Sequence, residues 1–352
     1  MPPSFSRNLH ARALMCANFV TMKKHFVLFA GMLVAGWLSL FGQSSLPAAD
    51  PNLILFGRGM YPGDDSTYAM IRNSGFTTVM LSSFYIKANG DVYSGDDGRQ
   101  PIIHQGRYTG NQEWIKRVAS LRSSGSVKRI ELLLEGRWFN QAPNTFDFIR
   151  DWIDSSNGAP GTAPGTRKNS TLFGILRSMK EELGIDAICI DDESVYDTTS
   201  VTRLGELAGS LNLHMSLCPY TRTPYWKAIL DRSPPNVVDA IYLQCYDGGK
   251  NAAPGDWFRA LGSALPVYPI FLCRGAFSTC GVSHNSKSPE EMRSQLHEFK
   301  KNYPDMRGAG VWQMADIKSY VRQNCAATDP SSGSAESVAE YLSQLKSCLS
   351  IY

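Results

Sequence analysis

Residues able to do acid–base chemistry stand at alternate positions of one short apolar segment. It spans residues 186–193 and has the sequence Asp-Ala-Ile-Cys-Ile-Asp-Asp-Glu. Alternate side chains of a strand share a face, so Cys189, Asp191 and Glu193 are predicted to lie together, opposite the two isoleucines. Two carboxylates this close on a buried face repel each other, so one keeps its proton near neutral pH. Such a pair can cleave a glycosidic bond; the alternative is a solvated acidic loop after a strand.

Other apolar segments also end in polar or aromatic residues. Glu135 ends one such segment, and Gln244, Tyr246 and Asp247 end another. Trp312 follows a third segment. Each residue also has a structural interpretation, such as an ion pair of Glu135 with a nearby arginine or core packing of the aromatic rings.

The elements that must position these residues follow a regular alternation of strands and helices. The predicted strands are Leu53–Phe56, Thr78–Phe84, Arg129–Leu134, Ala187–Ile190, His214–Cys218, Ala240–Gln244, Val267–Leu272 and Gly310–Gln313. The segments between them have helical apolar spacing, as at Leu172, Ile175 and Met179. The alternation predicts parallel strands in one (β/α)8 TIM barrel, with catalytic groups at the carboxyl ends of the strands. An open doubly wound sheet is the alternative, but no glycine-rich dinucleotide motif follows the first strand.

The acidic segment resembles the DxxDxDxE motif of glycoside hydrolase family 18. Asp186, Asp191 and Glu193 match three of its positions, whereas Cys189 stands where the family has aspartate. The run Asp-Asp-Glu is more similar to the family's endo-β-N-acetylglucosaminidases than to its chitinases, which often carry tryptophan before the glutamate.

Further strand ends resemble the same family over residues 53–316. The segment from Gln244 to Asp247 is similar to MxYD, and the one around Trp312 is similar to the GxxxW stretch. Residues 216–219 resemble SxAP, whereas residues 133–136 depart from the usual SxGG.

The resemblance implies a role for each matched residue. Glu193 would donate a proton to the leaving oxygen, and Asp191 would stabilise the 2-acetamido group as its oxygen attacks the anomeric carbon. Tyr246 would hydrogen-bond the acetamido oxygen, Asp247 a sugar hydroxyl, and Trp312 would form the floor under the sugar ring.

Other positions carry weaker expectations. Gln244 and Glu135 are candidate substrate-binding residues, although for Glu135 we favour the ion pair with Arg137. Because a neutral thiol at Cys189 cannot share a proton with Asp191, we expect Asp191 to ionise more easily than in the family. Aromatic candidates for sugar stacking are Phe84, Tyr85, Trp138 and Phe139.

The amino terminus predicts secretion. Lysines at 23 and 24 precede an apolar stretch from Phe26 to Phe41, and small residues follow up to Asp50. This order is typical of a signal peptide, and residues before Met22 suggest a misassigned start. We therefore expect a signal region over 1–49, a barrel over 50–322, a helical tail over 323–352, and a secreted or periplasmic protein. An uncleaved membrane anchor is the alternative.

Composition and cysteines narrow the class of protein. A net charge of +3 and no basic–aromatic patch argue against nucleic acid as a partner. Two disulfides are predicted, Cys273–Cys280 and Cys325–Cys348, and the other mature cysteines read as buried thiols. No cysteine spacing indicates zinc.

The combined expectation is a monomeric glycoside hydrolase without a cofactor, cleaving β-linked N-acetylglucosamine glycans or glycoproteins by a substrate-assisted, retaining mechanism. Alternatives are a non-catalytic glycan-binding barrel, a glycosidase using Glu135 and Glu193 without an acetamido group, and a divalent-metal barrel using Asp191, Glu193 and Asp247.

Overall fold

Eight parallel strands close into a barrel in this computed structural model, which describes residues 50–96, 98–136, 144–154, 170–262, 265–274, 285–315 and 337–349. The barrel strands are β1 (Asn52–Phe56), β2 (Thr78–Ile86), β6 (Arg129–Glu135), β7 (Ala187–Asp191), β8 (His214–Leu217), β9 (Val238–Gln244), β10 (Val267–Leu272) and β11 (Gly308–Trp312). Strand β1 pairs in parallel with both β2 and β11, which closes the sheet. The predicted (β/α)8 barrel and all eight predicted strands are confirmed.

Helices connect these strands around the outside of the barrel. They are α1 (Asp65–Arg72), α2 (Gln112–Ser120), α3 (Thr145–Asp154), α4 (Thr171–Leu183), α5 (Thr198–Ser210), α6 (Thr223–Arg232), α7 (Pro254–Leu261), α8 (Pro289–Asn302) and the terminal α9 (Val338–Leu349). Their ends carry local signals: Ser288 and Glu291 form a capping box at the start of α8. Helix α4 ends at Gly184, which adopts a left-handed conformation with φ 63°.

The faces of strand β7 are those predicted from its alternation. Ile188 and Ile190 pack in the cluster between the sheet and the helices. Cys189 lies in a separate interior cluster with Leu133 of β6 and Cys218 after β8. Asp191 therefore continues the interior face towards the carboxyl end of the barrel, because side chains alternate along a strand.

Three short strands that the sequence did not predict follow β2. They are β3 (Val92–Ser94), β4 (Ile103–His104) and β5 (Arg107–Tyr108), and they pair antiparallel in succession. Strands of two or three residues are too short to show apolar alternation, so periodicity has no power to find them.

A buried ionic network fills the amino-terminal end of the barrel. The side chain of Glu131 is completely buried, and its carboxylate accepts hydrogen bonds from the hydroxyls of Ser216 and Tyr242. Arg129 donates to Glu131 at 2.6 Å and to both oxygens of Asp239 at 2.7 and 2.8 Å. These groups come from strands β6, β8 and β9, so the network links three strands of the barrel, and β7 lies between β6 and β8.

The terminal helix α9 packs on the outside of the barrel beside α8. The hydroxyl of Tyr341 donates to the carbonyl oxygen of Lys287 at 2.6 Å, and the Cys348 thiol contacts the carbonyl oxygen of Arg293 at 3.5 Å. No helix within the described residues is long and apolar enough to cross a membrane.

Several sequence predictions lie outside the described residues. They are the signal region 1–49, residues 316–336 at the end of the predicted barrel and the start of the predicted tail, Arg137, Trp138, Phe139, Cys280 and Cys325. The predicted Cys325–Cys348 disulfide is contradicted, because Cys348 is a buried free thiol. The cysteines predicted as buried thiols, Cys189, Cys218 and Cys245, are all buried.

Candidate active site

All seven candidate site residues line one cleft at the carboxyl end of the barrel. Its volume is about 640 Å³, and its walls are Arg58, Glu135, Gly136, Asp191, Glu193, Ser194, Tyr220, Gln244, Tyr246, Asp247, Gly248 and Trp312. These residues lie at or just after the carboxyl ends of six strands, β1, β6, β7, β8, β9 and β11, which meet at this rim. The cleft thus brings all seven candidate residues together, and their chemical roles stay predictions.

An amide side chain bridges the two central carboxyl groups. The Nε2 atom of Gln244 lies 3.0 Å from Oδ1 of Asp191, 3.1 Å from Oε1 of Glu193, and 3.0 Å from the carbonyl oxygen of Cys218. Asp191 is buried, whereas Glu193 is exposed at the mouth of the cleft. The bridge therefore holds one carboxyl group deep in the barrel and the other where a substrate and water can reach it.

Asp191 is the group whose protonation the fold changes most clearly. Burial raises the pKa of its carboxyl well above the usual value, and the nearby carboxylates of Glu193 and Glu135 raise it further. The sequence led us to expect easier ionisation because Cys189 carries no charge. That expectation compares Asp191 with members of the family and stays a prediction; the barrel adds the charge of Glu135, which lies far away in the sequence but beside Asp191.

Asp191→Asn is expected to stabilise the folded protein at neutral and alkaline pH. Because folding raises the pKa of Asp191, the ionised carboxylate costs stability. This cost is absent below the pKa of the unfolded chain and grows as pH rises towards the folded value. Thermal unfolding should give a melting temperature about 2–4 °C higher for the variant near pH 8. The difference should shrink towards about pH 4; an equal difference at both pH values would contradict the raised pKa.

Glu135 is held by two hydroxyl groups of strand β2. Ser83 donates to one carboxylate oxygen and Tyr85 to the other. Burial raises the pKa of Glu135, whereas these two hydrogen bonds and the positive charge of Arg58 lower it. The Tyr85 hydroxyl is thus committed to Glu135, and Phe84 packs against Trp114 outside the barrel, so the proposal that these rings stack on sugar was wrong.

The neighbouring Asp192 organises the loop that follows β7. It is 1% exposed, and its carboxylate accepts hydrogen bonds from the backbone amides of Ser194, Val195 and Tyr196 at 2.7–3.1 Å. The hydroxyl of Tyr225 donates to it at 2.9 Å. Asp192 therefore faces away from the cleft and fixes the backbone just after Glu193.

Aromatic groups form another part of the cleft. Trp312 packs on Phe56 with ring centroids 5.0 Å apart and lies 6.5 Å from the ring of Tyr246. Tyr246 is buried, and its hydroxyl makes no hydrogen bond within the part of the chain that the structure describes. A flat indole face beside an available hydroxyl suits the apolar face and polar substituents of a sugar ring.

Two glycines shape the turn that carries Asp247. A Cβ atom at Gly248 would lie 2.5 Å from the ring of Tyr220, and one at Gly249 would lie 1.8 Å from the carbonyl oxygen of Gln244. Neither position can hold a larger residue without moving the cleft wall. Asp247 accepts a hydrogen bond from Asn285 at 3.2 Å and has a positive φ of 39°.

Arg58 and Tyr220 are cleft residues that sequence reasoning missed. Arg58 stands two positions after Phe56, whose side chain lies in the barrel interior. The alternation therefore predicted an inward position for Arg58, just beyond the end of β1. Tyr220 follows β8 in the same way, so the signal was available at each strand end.

No group of three or more His, Cys, Asp or Glu side chains within the described ranges is arranged to hold a metal ion. The fold and the site together define a (β/α)8 barrel with a carboxyl-lined cleft at its carboxyl end.

Several solved structures are similar to this chain at low sequence identity. The spore cortex-lytic enzyme SleL of Bacillus megaterium QM B1551 has a TM-score of 0.49 and 9% identity, covering 84% of this chain and 73% of its own. Active domain 2 of a Pyrococcus furiosus chitinase has a TM-score of 0.48 and 9% identity, covering 76% and 87%. A chitinase from Bacteroides thetaiotaomicron has a TM-score of 0.45 and 13% identity, covering 76% and 91%. No protein-family model matches the chain, and neither does any curated protein.

Proposed function

We propose that this protein is a glycoside hydrolase that cleaves β-linked N-acetylglucosamine glycans by a substrate-assisted, retaining mechanism. The observation that carries the proposal is the Gln244 amide bridging Asp191 and Glu193 inside a cleft that Trp312 lines. One carboxyl group is accessible and the other is buried with a raised pKa. This division is the one needed for a proton donor at the reacting oxygen and an electrostatic partner beneath the sugar.

In the first step, the bond between the anomeric carbon and the leaving oxygen breaks. Glu193 gives its proton to that oxygen, while the acetamido carbonyl oxygen of the same sugar forms a bond to the anomeric carbon. The resulting oxazolinium carries a positive charge, and a carboxyl oxygen of Asp191 accepts a hydrogen bond from its N–H group, which orients it. The hydroxyl of Tyr246 donates a hydrogen bond to the acetamido oxygen and so holds the attacking group in line.

In the second step, water attacks the anomeric carbon and the bond to the acetamido oxygen breaks. Glu193, now a carboxylate, takes the proton that the water loses, which returns the site to its starting state. Because both steps occur with inversion at the anomeric carbon, the product keeps the β configuration.

The signal-like segment before Asp50 supports secretion as part of this proposal, since polymeric glycans lie outside the cytoplasm. Among the substrates, the run Asp191-Asp192-Glu193 favours an endo-acting N-acetylglucosaminidase, with chitin oligosaccharides as the second class. An endo-acting enzyme requires a cleft open at both ends to accept an internal position of a glycan chain.

The purified protein should therefore hydrolyse chitin oligosaccharides, a high-mannose glycoprotein, or both, and release the β anomer in the first minutes of an NMR time course. The matched control is a fully deacetylated glucosamine oligosaccharide of the same length, which lacks the internal nucleophile. We expect its hydrolysis to be at least about 100-fold slower.

Equal hydrolysis of both oligosaccharides would reject substrate assistance and favour a conventional pair of Glu135 and Glu193. Glycan binding without hydrolysis of any substrate would reject the enzyme and favour a binding barrel.

A further inference from the structure

The pairing of strands β6 and β7 places Glu135 directly beside Asp191. The two residues are partners in the parallel register, two positions after the pair Leu133 and Cys189. Leu133 and Cys189 both lie in the interior cluster. Residues two positions apart on a strand share a face, so Glu135 and Asp191 also face inward. Adjacent strands are only about 4.8 Å apart, whereas residues two positions apart on one strand are separated by about 6.6 Å. Across the sheet, Glu135 is therefore the immediate carboxyl neighbour of Asp191.

The surroundings of Glu135 favour its ionised form over that of Asp191. Each oxygen of Glu135 accepts a hydrogen bond from a hydroxyl group, one from Ser83 and one from Tyr85, and Arg58 adds a positive charge nearby. Within the described residues, Asp191 accepts one side-chain hydrogen bond, from the amide of Gln244, and that amide also contacts two other acceptors. Hydrogen bonds to a carboxylate stabilise its charge, so the negative charge of the pair resides on Glu135.

Several other titratable groups face Asp191 and could affect its pKa. They are Glu193, Cys189 and Asp192 on β7 and the loop after it, Cys218 after β8, and Tyr246 after β9. Asp192 accepts hydrogen bonds from loop amides. The hydrogen bond with Cys189 and burial raise the pKa of the Cys218 thiol, and burial raises the pKa of the Tyr246 hydroxyl, so both groups are neutral. Glu193 also raises the pKa of Asp191, but it is exposed at the cleft mouth, whereas Glu135 is the carboxyl group paired with Asp191 on the neighbouring strand.

We propose that Glu135 is a positioning residue that remains ionised and thereby keeps a proton on Asp191. Its importance for turnover rests on the proposed function, but its effect on Asp191 does not. The charge of Glu135 acts on Asp191 from the neighbouring strand β6. On β7 itself, the residue two positions before Asp191 is Cys189, which has no carboxyl group.

Direct titration of Asp191 tests this proposal. In protein labelled with ¹³C at the aspartate carboxyl groups, the Asp191 signal is the one missing from Asp191→Asn. Glu135→Gln should move the titration midpoint of Asp191 to lower pH by about one pH unit or more, because an adjacent like charge is removed. Tyr85→Phe, which removes one hydrogen bond that keeps Glu135 ionised, should move the midpoint in the same direction by a smaller amount. Glu181→Gln, an exposed position on α4, is the matched control and should leave it unchanged.

A rescue variant separates the charge of Glu135 from a merely structural role. Cys189→Asp in the Glu135→Gln background places a carboxyl group on the same strand face, two residues before Asp191. We expect it to return the midpoint towards the wild-type value. In the pH profile of hydrolysis, the limb that depends on Asp191 should move to lower pH in Glu135→Gln and move back in the double variant.

An unchanged or higher midpoint in both Glu135→Gln and Tyr85→Phe would overturn the proposal. If the midpoints move as expected while no variant and no wild-type protein hydrolyses a glycan, the proposed function fails and the role of Glu135 stands.

Discussion

Glu193→Gln is expected to lower kcat/KM for glycan hydrolysis by about 10²–10⁴-fold, because it removes the proton donor of the first step and the base of the second. The amide oxygen of the new side chain can still accept the hydrogen bond from Gln244, which now lies 3.1 Å from Glu193. The cleft should therefore keep its shape and still bind substrate. Steady-state hydrolysis of chitin oligosaccharides measures the loss, and binding of the same oligosaccharide by calorimetry shows that the site is intact.

The matched control for this change is Glu181→Gln, the same substitution at an exposed position on helix α4. It should leave kcat/KM at the wild-type value. If Glu193→Gln hydrolyses glycans at the wild-type rate, Glu193 is not the acid, and Glu135 becomes the first residue to replace. A loss of both hydrolysis and binding would instead point to collapse of the loop that Asp192 organises.

Arg129→Met is expected to lower the free energy of unfolding by about 3–5 kcal/mol, because it leaves the buried carboxylate of Glu131 without its cation. Glu131 is completely buried, and Arg129 contacts both it and Asp239. The remaining hydroxyl donors, Ser216 and Tyr242, can satisfy oxygen atoms but cannot neutralise the charge. Urea unfolding followed by circular dichroism measures the difference.

Arg203→Met provides the control for that experiment. Arg203 also forms an ion pair, with Glu206 at 2.6 Å, but the two side chains are 51% and 39% exposed. Water screens this pair, so its loss should cost less than about 1 kcal/mol. Similar losses for Arg129→Met and Arg203→Met would contradict a stabilising role for the buried network.

The barrel itself could be predicted because each of its signals is local. The eight strands are short runs of apolar residues, and their alternation with helical spacing requires no knowledge of distant contacts. In β7, the alternation of side chains along the strand was enough to predict that Cys189 and Asp191 face inward and the isoleucines outward, as they do in the structure. The antiparallel strands β3 to β5 escaped prediction because pairing with other strands, and not their own pattern, defines them.

The site was only partly predictable for the same reason. The seven candidate residues were found because each ends a recognisable strand, and the closed barrel brings all such ends to one rim. The same rule applied to β1 and β8 would have added Arg58 and Tyr220.

By itself, the sequence determined the order of the elements, which side of each strand faces inward, and which strand ends carry carboxyl and aromatic groups. Only the tertiary structure decided which groups share protons and hydrogen bonds. Glu135 meets Ser83 and Tyr85 across about 50 residues of chain, and Gln244 meets Asp191 across a similar separation. The pKa of Asp191 depends on burial and on charges that reach it from neighbouring strands, and these distances exist only once the barrel has closed.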